Sequence, residues 1–438
     1  MLYYSHHMNT HPFPQKTKQT ILALGAESEG NFCFFAQNKI YFSENFGDLL
    51  KEKNWQKYQA AVLEFLKKNK FKPDLLLTDL HPLYLTSVWG KALGKKYKVK
   101  HIQVQHHLAH LFSTIGEKII LDTKYQIPDT IYGIAMDGTG YGTDEKIWGG
   151  EVFKIKNPMP TGRQEKSKIK IIERIGHLEN QVLIGGDLAI REPARMLISI
   201  LDKVLLPPPY QGEGLGVRLK SNTQRKNTTY RFVKNYYTKN EFELIYAQLQ
   251  QNFNCLETSS TSRVLDAVSL LLGFCENERK YKHEPIAPLE TNSTRPYVDL
   301  KPKIILSQGK RVLNTTFLFE YLIKNLHKDK KRLAATAQLY VARGLYELIK
   351  NSCHPERSRS LPAGRQGSTC KYHQRYSTED SSTPLRCAQN DIFIAGGIAN
   401  NKIISVYLIS QGAYASKEIP RGDAGLSFGQ IICYLLSK

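Results

Sequence analysis

A strand–turn–strand pattern occurs twice in this chain and constrains its fold more than any other feature. Residues 21–46, ILALGAESEGNFCFFAQNKIYFSENF, place a Glu/Ser/Gly turn between two apolar segments. Residues 131–155, IYGIAMDGTGYGTDEKIWGGEVFKI, begin 110 positions later and repeat this order around a glycine-rich turn. Both segments predict β-hairpins. A hairpin that recurs at the head of two stretches of chain predicts two related halves facing one cleft.

The stretches that follow each hairpin alternate between helical and strand patterns. Apolar positions in WQKYQAAVLEFLKKN recur at helical spacing, and PDLLLTDLHP and KHIQVQ predict buried strands. Later, RLAATAQLYVARGLYELIKN predicts a helix, and NDIFIAGGIANNKIISVYLI predicts a strand, a Gly-Gly turn and a helix. This alternation predicts an α/β fold built in layers.

Two histidines stand four residues apart in VQHHLAH, directly after a predicted strand. On a helix, His106 and His110 would share one face, so both imidazoles could reach one metal ion. The second position of the motif is not glutamate, so it is not the HExxH of zinc proteases. The spacing alone does not distinguish a metal site from ordinary core or surface histidines.

Two glycine-rich turns are candidate phosphate sites. In DGTGYGTD, residues 137–144, glycines would let backbone N–H groups approach a phosphate closely, although a tight hairpin explains them equally well. AGGIANN, residues 395–401, follows a predicted strand and opens a helix, a second place for a phosphate or nucleoside.

Composition excludes several classes of protein. The seven cysteines form no CxxC, which argues against a zinc ribbon or thioredoxin-like site and suits a reduced, cytoplasmic protein. No apolar stretch approaches the roughly 20 residues that span a bilayer. The net charge of +21 fits a nucleic-acid partner or a lysine-rich solvated surface. Because the lysines are scattered, the solvated surface is favoured and no nucleic-acid partner is expected.

The same patterns predict the domain borders. Residues 1–20 lack the apolar core of a signal peptide and are expected to be an unstructured lead-in. The first half is expected at 21–130 and the second at 131–438, with a mostly helical insertion at about 160–300. Residues 353–389, rich in Ser, Arg, Thr and Pro, predict a disordered insertion, and their His and Cys spacing does not fit zinc.

Nine segments occur in a characteristic order: ILALGAE, FGDLL, TDLHPLYLTS, VQHHLAH, AMDGTGYGTDEKIWGGEVF, GGDLAIREPARML, TSSTSRVLDAVSLLLG, AGGIANN and RGDAGLSFGQ. Together they resemble the C-terminal catalytic region of HypF-type carbamoyltransferases, which mature nickel–iron hydrogenases. The resemblance runs from about residue 20 to the end of the chain, apart from 353–389. It implies an actin/hexokinase-like (ASKHA) fold, in which two RNase-H-like halves surround a nucleotide cleft.

The resemblance also implies a reaction. A carbamoyl group would pass from carbamoyl-adenylate, bound in the cleft, to the C-terminal cysteine of a HypE-like acceptor protein, where it later becomes a cyanide ligand. The implied cofactors are a divalent metal, which is iron, zinc or manganese, and carbamoyl-adenylate, AMP or ATP as the nucleotide ligand.

The motifs of the family carry over to specific positions. The implied metal and catalytic residues are His106, His110 and Asp423, with Asp137 as a fourth candidate ligand. The resemblance implies one phosphate-facing turn at Gly138, Thr139 and Gly140. It implies a second such turn at Gly396 and Gly397, with Asn400 nearby. The implied contacts to adenosine are Gly186 and Asp187.

Family members carry an acylphosphatase domain, paired zinc fingers and a YrdC-like domain ahead of this region. This chain starts almost at the first strand, so a separate YrdC-like protein is expected to supply carbamoyl-adenylate. The chain also departs from the family pattern at several positions that bear on donor affinity. Where the family usually has a lysine after the first strand, this chain has Glu29 and Gly30. Ser262 replaces a glycine, Gln338 replaces a histidine, Ala395 replaces a serine and Ala399 replaces a phenylalanine.

Three other functions fit part of the pattern. A TsaD-type tRNA threonylcarbamoyltransferase and an antibiotic O-carbamoyltransferase share the two histidines, and an inactive remnant would keep the fold alone. The segment DGTGYGTD followed by WGGE favours the HypF-type enzyme.

Overall fold

The first half of the chain forms a six-stranded sheet with three helices. The computed structural model describes residues 8–14, 17–156, 171–206, 221–353 and 391–438. The strands are β1 (Asn9–Pro12), β2 (Ile21–Ala23), β3 (Cys33–Ala36), β4 (Lys39–Phe42), β5 (Leu75–Asp79) and β6 (Lys100–Val104). The helices are α1 (Glu52–Lys68), α2 (Leu85–Tyr97) and α3 (His106–Leu121). The sheet order is β1-β4-β3-β2-β5-β6, in which β5 and β6 run parallel to β2.

The second half forms a larger sheet flanked by more helices. Its strands are β7 (Thr130–Tyr141), β8 (Ile147–Lys156), β9 (Ile171–Leu178), β10 (Gln181–Ile184), β11 (Cys255–Thr258), β12 (Ile304–Ser307), β13 (Lys310–Leu313), β14 (Asp391–Ala395) and β15 (Ala413–Ala415). Its helices are α4 (Leu188–Arg191), α5 (Pro193–Val204), α6 (Asn222–Val233), α7 (Lys239–Gln250), α8 (Thr261–Leu272), α9 (Ile286–Thr291), α10 (Thr315–Lys324), α11 (Lys330–Cys353), α12 (Lys402–Ser410) and α13 (Leu426–Ser437). Two short 3-10 turns span Gly397–Asn400 and Asp423–Gly425.

The two halves share one topology, which confirms the predicted duplication. The order β4-β3-β2-β5-β6 in the first sheet corresponds to β9-β8-β7-β14-β15 in the second: three antiparallel strands followed by two parallel ones. Helices α1, α2 and α3 occupy the same places in the chain order as α11, α12 and α13. This is the expected mixed α/β arrangement of two RNase-H-like halves.

The halves meet where α3 packs against α13. Phe112 and Ile115 of α3 and Phe428 and Ile432 of α13 belong to one hydrophobic cluster, in which strands of both sheets take part. Glycine makes the approach close, because a Cβ atom on Gly429 would lie 1.8 Å from the carbonyl oxygen of Ala109. The helix that carries the two histidines is therefore fixed against the helix that follows the Asp423 loop.

The described structure corrects several expectations. The lead-in is not wholly unstructured, because Asn9–Pro12 pair with the free edge of β4 and Phe13 is buried in the core. The first hairpin has a third strand, since the chain turns again at Gln37 and Asn38 and continues as β4. Strand β6 is not buried as predicted: it is an edge strand whose residues are mostly exposed or half-buried.

The second half also differs from expectation. Residues 137–141 belong to β7, with an irregular register between Met136 and Gly140, and the turn itself lies at residues 142–146. The expected insertion at about 160–300 takes in β9, which pairs with both β8 and β13, so only part of that range lies outside the sheet. The expected disordered insertion falls almost wholly on residues 354–390, outside the described part of the chain.

Among the residues that the structure describes, no helix is both long enough and apolar enough to cross a bilayer.

Candidate metal centre

Helix α3 places His106 and His110 side by side. The side chain of Gln105 caps the helix by accepting a hydrogen bond from Leu108 N at 3.0 Å, so the helix begins at His106. The two imidazole rings lie one turn apart with centroids separated by 4.8 Å, and each histidine is 1% exposed. The predicted helical face is therefore present, and it is buried between the halves.

Two carboxylates from the second half complete this cluster. Asp137 lies on β7 and Asp423 begins the 3-10 turn before α13. His106 Nε2 lies 3.1 Å from Asp137 Oδ2 and 3.7 Å from Asp423 Oδ1. His110 Nε2 lies 3.7 Å and 3.5 Å from the same two oxygens. One ligand atom from each residue lies within 4.8 Å of all the others, so the structure brings the four expected residues together.

Asp79, which the sequence reasoning did not assign, orients His106. It ends strand β5 and is fully buried, and its Oδ2 lies 2.7 Å from His106 Nδ1. Its other oxygen accepts a hydrogen bond from His81 N at 2.8 Å. A carboxylate that holds the Nδ1 proton leaves the Nε2 lone pair free toward the cluster. The sequence feature that could have identified Asp79 is its position directly after three leucines and a threonine, at the end of a predicted buried strand.

Unpaired buried atoms test whether these residues fit a metal ion. Both ring nitrogens of His110 are buried without a hydrogen-bond partner among the described residues. Buried polar atoms nearly always have a partner, so a free imidazole beside two carboxylates indicates room for a cation. Two imidazoles and two carboxylates suit iron(II), zinc or manganese. The donor set therefore fits a divalent metal.

The electrostatics of the cluster support this interpretation. Burial by itself would lower the pKa of His106, but Asp79 and Asp137 outweigh it and raise that pKa well above its ordinary value. Burial would likewise raise the pKa of Asp137, yet its hydrogen bond with His106 and the nearby imidazole of His110 hold that pKa well below the ordinary range. The cluster thus stabilises positive charge strongly at the position between its four side chains.

The neighbouring His107 has a different environment. Burial and the proximity of His106 lower the pKa of His107 to about 4, so it is neutral at physiological pH. Its ring packs against Gly140, where a Cβ atom would lie 2.3 Å from His107 Cε1 and 2.8 Å from His106 Cδ2. Glycine at position 140 therefore allows β7 to approach α3 closely.

The loop that carries Asp423 is held by residues of the first half. Glu117, buried on α3, accepts hydrogen bonds from the backbone N–H groups of Lys417, Glu418 and Ile419 at 2.7, 2.8 and 2.5 Å. Asn31, in the loop between β2 and β3, donates to the carbonyl oxygen of Ala424. The position of Asp423 thus depends on contacts that cross between the halves.

A cleft of about 890 Å³ opens beside the cluster, which is a common size for a small-molecule site. Four of the expected nucleotide contacts line it: Gly138, Thr139, Gly397 and Asn400. The other four do not line it: Gly140, Gly186, Asp187 and Gly396. Gly396 has a φ of +92°, and a Cβ atom there would lie 2.1 Å from Met136 O, so its role is close packing against β7.

Several cations that line the cleft were not predicted from the sequence; they lie on α8 or in the chain that follows it. Lys282 Nζ lies 3.3 Å from Asp423 Oδ2, 3.1 Å from Ser28 Oγ and 3.4 Å from Glu29 Oε2. It joins the second half to the loop of the first half at the mouth of the metal cluster. Arg263 and Arg279 also line the cleft. The sequence signal for these residues was weak, since scattered cations are typical of this chain.

Comparison with known proteins gives consistent results. A family model described as "Carbamoyltransferase, Kae1-like Domain, second subdomain" matches residues 133–361, and one described as "HypF Kae1-like domain" matches residues 16–117. The "Probable carbamoyltransferase HypF" of Methanocaldococcus jannaschii is 32% identical over 435 residues, which cover 96% of this chain and 47% of that protein. The "Carbamoyltransferase HypF" of Synechocystis sp. is 29% identical over 66% of this chain and 34% of its own length.

Solved structures show the same likeness. The crystal structure of T. kodakarensis HypF matches with a TM-score of 0.72 and 26% identity, over 97% of this chain and 49% of that one. A full-length HypF in its phosphate- and nucleotide-bound form shares the fold, with a TM-score of 0.74 and 22% identity over 97% and 47% of the two chains. The present chain spans about half the length of these structures.

Proposed function

Because the chain belongs to the HypF carbamoyltransferase family, which it matches through Kae1-like domains, we propose that it transfers a carbamoyl group from carbamoyl-adenylate to a thiol. The acceptor is the C-terminal cysteine of a HypE-like protein in hydrogenase maturation. The observation that carries the proposal is the buried cluster of two imidazoles and two carboxylates beside a cleft of nucleotide size. The matches to HypF domains favour this reaction over the tRNA and antibiotic carbamoyltransferases.

The residues of the cluster have separate tasks in this proposal. The divalent metal would be held by His106, His110, Asp137 and Asp423, and it would supply positive charge to a phosphate or carbonyl oxygen of the donor. Asp79 keeps the Nδ1 proton of His106, which leaves Nε2 as the ligand atom.

The nucleotide lies in the cleft. Gly138, Thr139, Gly397 and Asn400, which line it, face the phosphate and the neighbouring groups of the donor. Gly140 and Gly396 contribute indirectly, by allowing β7 to pack closely against α3 and the loop after β14. Gly186 and Asp187 stand directly before α4, whose Ile190 lines the cleft, and they are assigned to the adenosine end. A full-length HypF structure is in a phosphate- and nucleotide-bound form, which supports a nucleotide as a ligand in this family.

The transfer itself requires one bond to form and one to break. The thiolate sulfur of the acceptor attacks the carbamoyl carbon, so that a C–S bond forms and the C–O bond to the phosphate breaks. AMP leaves with the electron pair, and the thiol proton passes to solvent. A separate YrdC-like protein is the proposed source of the carbamoyl-adenylate.

A transfer assay tests the proposal. The protein, loaded with iron, zinc or manganese, is mixed with synthetic carbamoyl-adenylate and a HypE-like acceptor, and the mass of the acceptor's C-terminal peptide is measured. We expect one carbamoyl group added to the thiol as a thiocarbamate. Hydroxylamine should take up this group as hydroxyurea and restore the free thiol. His110→Ala should lose this activity, while His107→Ala, which removes an equally buried imidazole outside the cluster, should retain it. Absence of transfer by the metal-loaded wild type would instead favour an inactive remnant.

A further inference from the structure

Two arginines beside the cleft share a single carboxylate. Arg263 lies on the first turn of α8, and Arg279 lies beyond the end of that helix. Arg263 Nη2 is 3.1 Å from Asp266 Oδ2, and Arg279 Nη2 contacts the same oxygen. Two guanidinium groups against one carboxylate leave an excess positive charge at this point.

The donors of these arginines are incompletely used. Arg263 is 4% exposed, yet its Nε and Nη1 have no hydrogen-bond partner among the described residues, and Nε of Arg279 is also unpaired. Burial lowers the pKa of Arg263 to about 10, an effect that Asp266 offsets only in part. A buried charge with unpaired donors is costly, so the arrangement is best explained by an anion that binds there.

The pair faces the same space as Gly138 of strand β7. A Cβ atom on Gly138 would lie 3.6 Å from Ser262 Oγ and 3.8 Å from Arg263 Nη2, so the missing side chain leaves a path between β7 and α8. Ser260 fixes this geometry, because its hydroxyl donates to Gly138 O at 2.5 Å and accepts from Arg263 N at 3.1 Å. The first turn of α8, where the helix carries partial positive charge, also lines the cleft through Ser262.

We infer that Arg263, with Arg279 beside it, binds a phosphoryl group of the ligand in the cleft. The inference rests on the proposed function for the identity of that ligand, a nucleoside monophosphate or its acyl derivative. Gly138 adjoins the metal-cluster residue Asp137, so the phosphoryl group lies between the metal cluster and the arginine pair. Positive charge on this side favours departure of the phosphate as the C–O bond breaks.

Binding measurements with AMP, adenosine and inorganic phosphate test the inference by calorimetry. The wild type should bind AMP more tightly than adenosine, and Arg263→Gln should weaken AMP binding by about 10- to 100-fold, the usual loss for a charged hydrogen bond. Adenosine affinity and metal content should stay unchanged in this variant. Arg231→Gln, which removes an exposed arginine of α6, is the matched control and should behave as the wild type.

Two further variants keep the inference testable if Arg263→Gln does not fold. Arg279→Gln should weaken AMP binding in the same direction, because Asp266 then neutralises more of the remaining charge. Asp266→Asn should strengthen AMP binding relative to adenosine, whereas a purely structural role for the cluster predicts no such gain.

The outcomes are separable from those of the transfer assay. A wild type without preference for AMP over adenosine, or an Arg263→Gln protein that keeps the preference, would overturn the inference even if carbamoyl transfer occurs. Conversely, an Arg263-dependent preference would stand if transfer to the HypE-like acceptor fails. Arg263-dependent binding of inorganic phosphate without AMP binding would overturn the assignment to a nucleotide.

Discussion

Oδ2 of Asp79 lies 2.7 Å from Nδ1 of His106, and both side chains are buried at the interface between the two halves. The carboxylate ends a strand of the first sheet, while the opposite nitrogen of the same imidazole faces Asp137 of the second sheet. One histidine ring therefore links a structural contact on one side to the candidate metal centre on the other.

Replacement of Asp79 should weaken metal binding although Asp79 is not itself a ligand. Asp79→Ala removes the acceptor that fixes the His106 tautomer, and outer carboxylates of this kind are worth about 10- to 100-fold in metal affinity. The measurement is a competition titration with a metal chelator. The control is Asp74→Asn, which changes an exposed aspartate just before the same strand. Its metal affinity should equal that of the wild type. Equal affinities in all three proteins would refute the role of Asp79.

His110→Ala should abolish stoichiometric metal binding. Both nitrogens of this ring lack partners among the described residues, so the substitution removes a ligand without breaking an existing hydrogen bond. Elemental analysis of the purified proteins measures the effect, with His107→Ala as the control from the adjacent position. Equal metal content in wild type and His110→Ala would show that the cluster is not a metal site.

Glu117→Gln should loosen the loop that carries Asp423. The substitution replaces one acceptor oxygen by an amide NH₂ group, which cannot accept hydrogen bonds from the backbone N–H groups of residues 417–419. We expect a loss of about 1–3 kcal/mol in unfolding free energy, the cost of leaving buried donors unpaired, together with weaker metal binding. Urea denaturation and the chelator titration measure the two effects. Glu418→Gln, exposed on the same loop, should change neither, and an unaltered Glu117→Gln protein would contradict the expectation.

Gly429→Ala should separate α3 from α13. The new methyl group would lie 1.8 Å from the backbone oxygen of Ala109, so one helix must shift, at a cost of about 1–3 kcal/mol. Because α3 carries both histidines, metal affinity should fall as well. In the control Gly344→Ala, the methyl group meets the end of the Leu313 side chain at 2.3 Å, between α11 and β13, neither of which carries a residue of the cluster. Gly344→Ala should lower the free energy of unfolding without changing the metal affinity. If Gly429→Ala also lowers stability but keeps the metal affinity, displacement of α3 is refuted.

Residues 353–389 are predicted from composition to add nothing to the core. Their low content of aliphatic side chains cannot bury enough apolar area to offset the entropy of ordering the segment. Replacement by a short Gly/Ser linker between α11 and β14 should leave Tm within about 2 °C of the wild type, a change of less than about 1 kcal/mol. Differential scanning calorimetry measures it, and a fall of many degrees would show that the segment packs against the fold.

The sequence by itself determined the fold class and most of its elements. Apolar periodicity identified α1, β5, α11 and the hairpin of β7 and β8, because these patterns reflect burial along single elements. The repeated hairpin predicted the duplication, and the spacing of His106 and His110 placed both imidazoles on one face of a helix. The family motifs added Asp137 and Asp423, which no local pattern connects to α3. Their proposed role as metal ligands stays a prediction for the experiments above.

Only the tertiary structure decided which distant groups meet. β1 was missed because its pairing depends on the free edge of β4 and on the burial of Phe13, not on its own sequence. Asp79 orients His106 through a contact that arises only once β5 and α3 are packed. Arg263 and Asp266 are neighbours on α8, but Arg279 reaches the same carboxylate only once the chain beyond that helix is in place. The physical reason is that local sequence fixes backbone preference and burial. The charge and hydrogen-bond balance of a site depends on atoms brought together from remote parts of the chain.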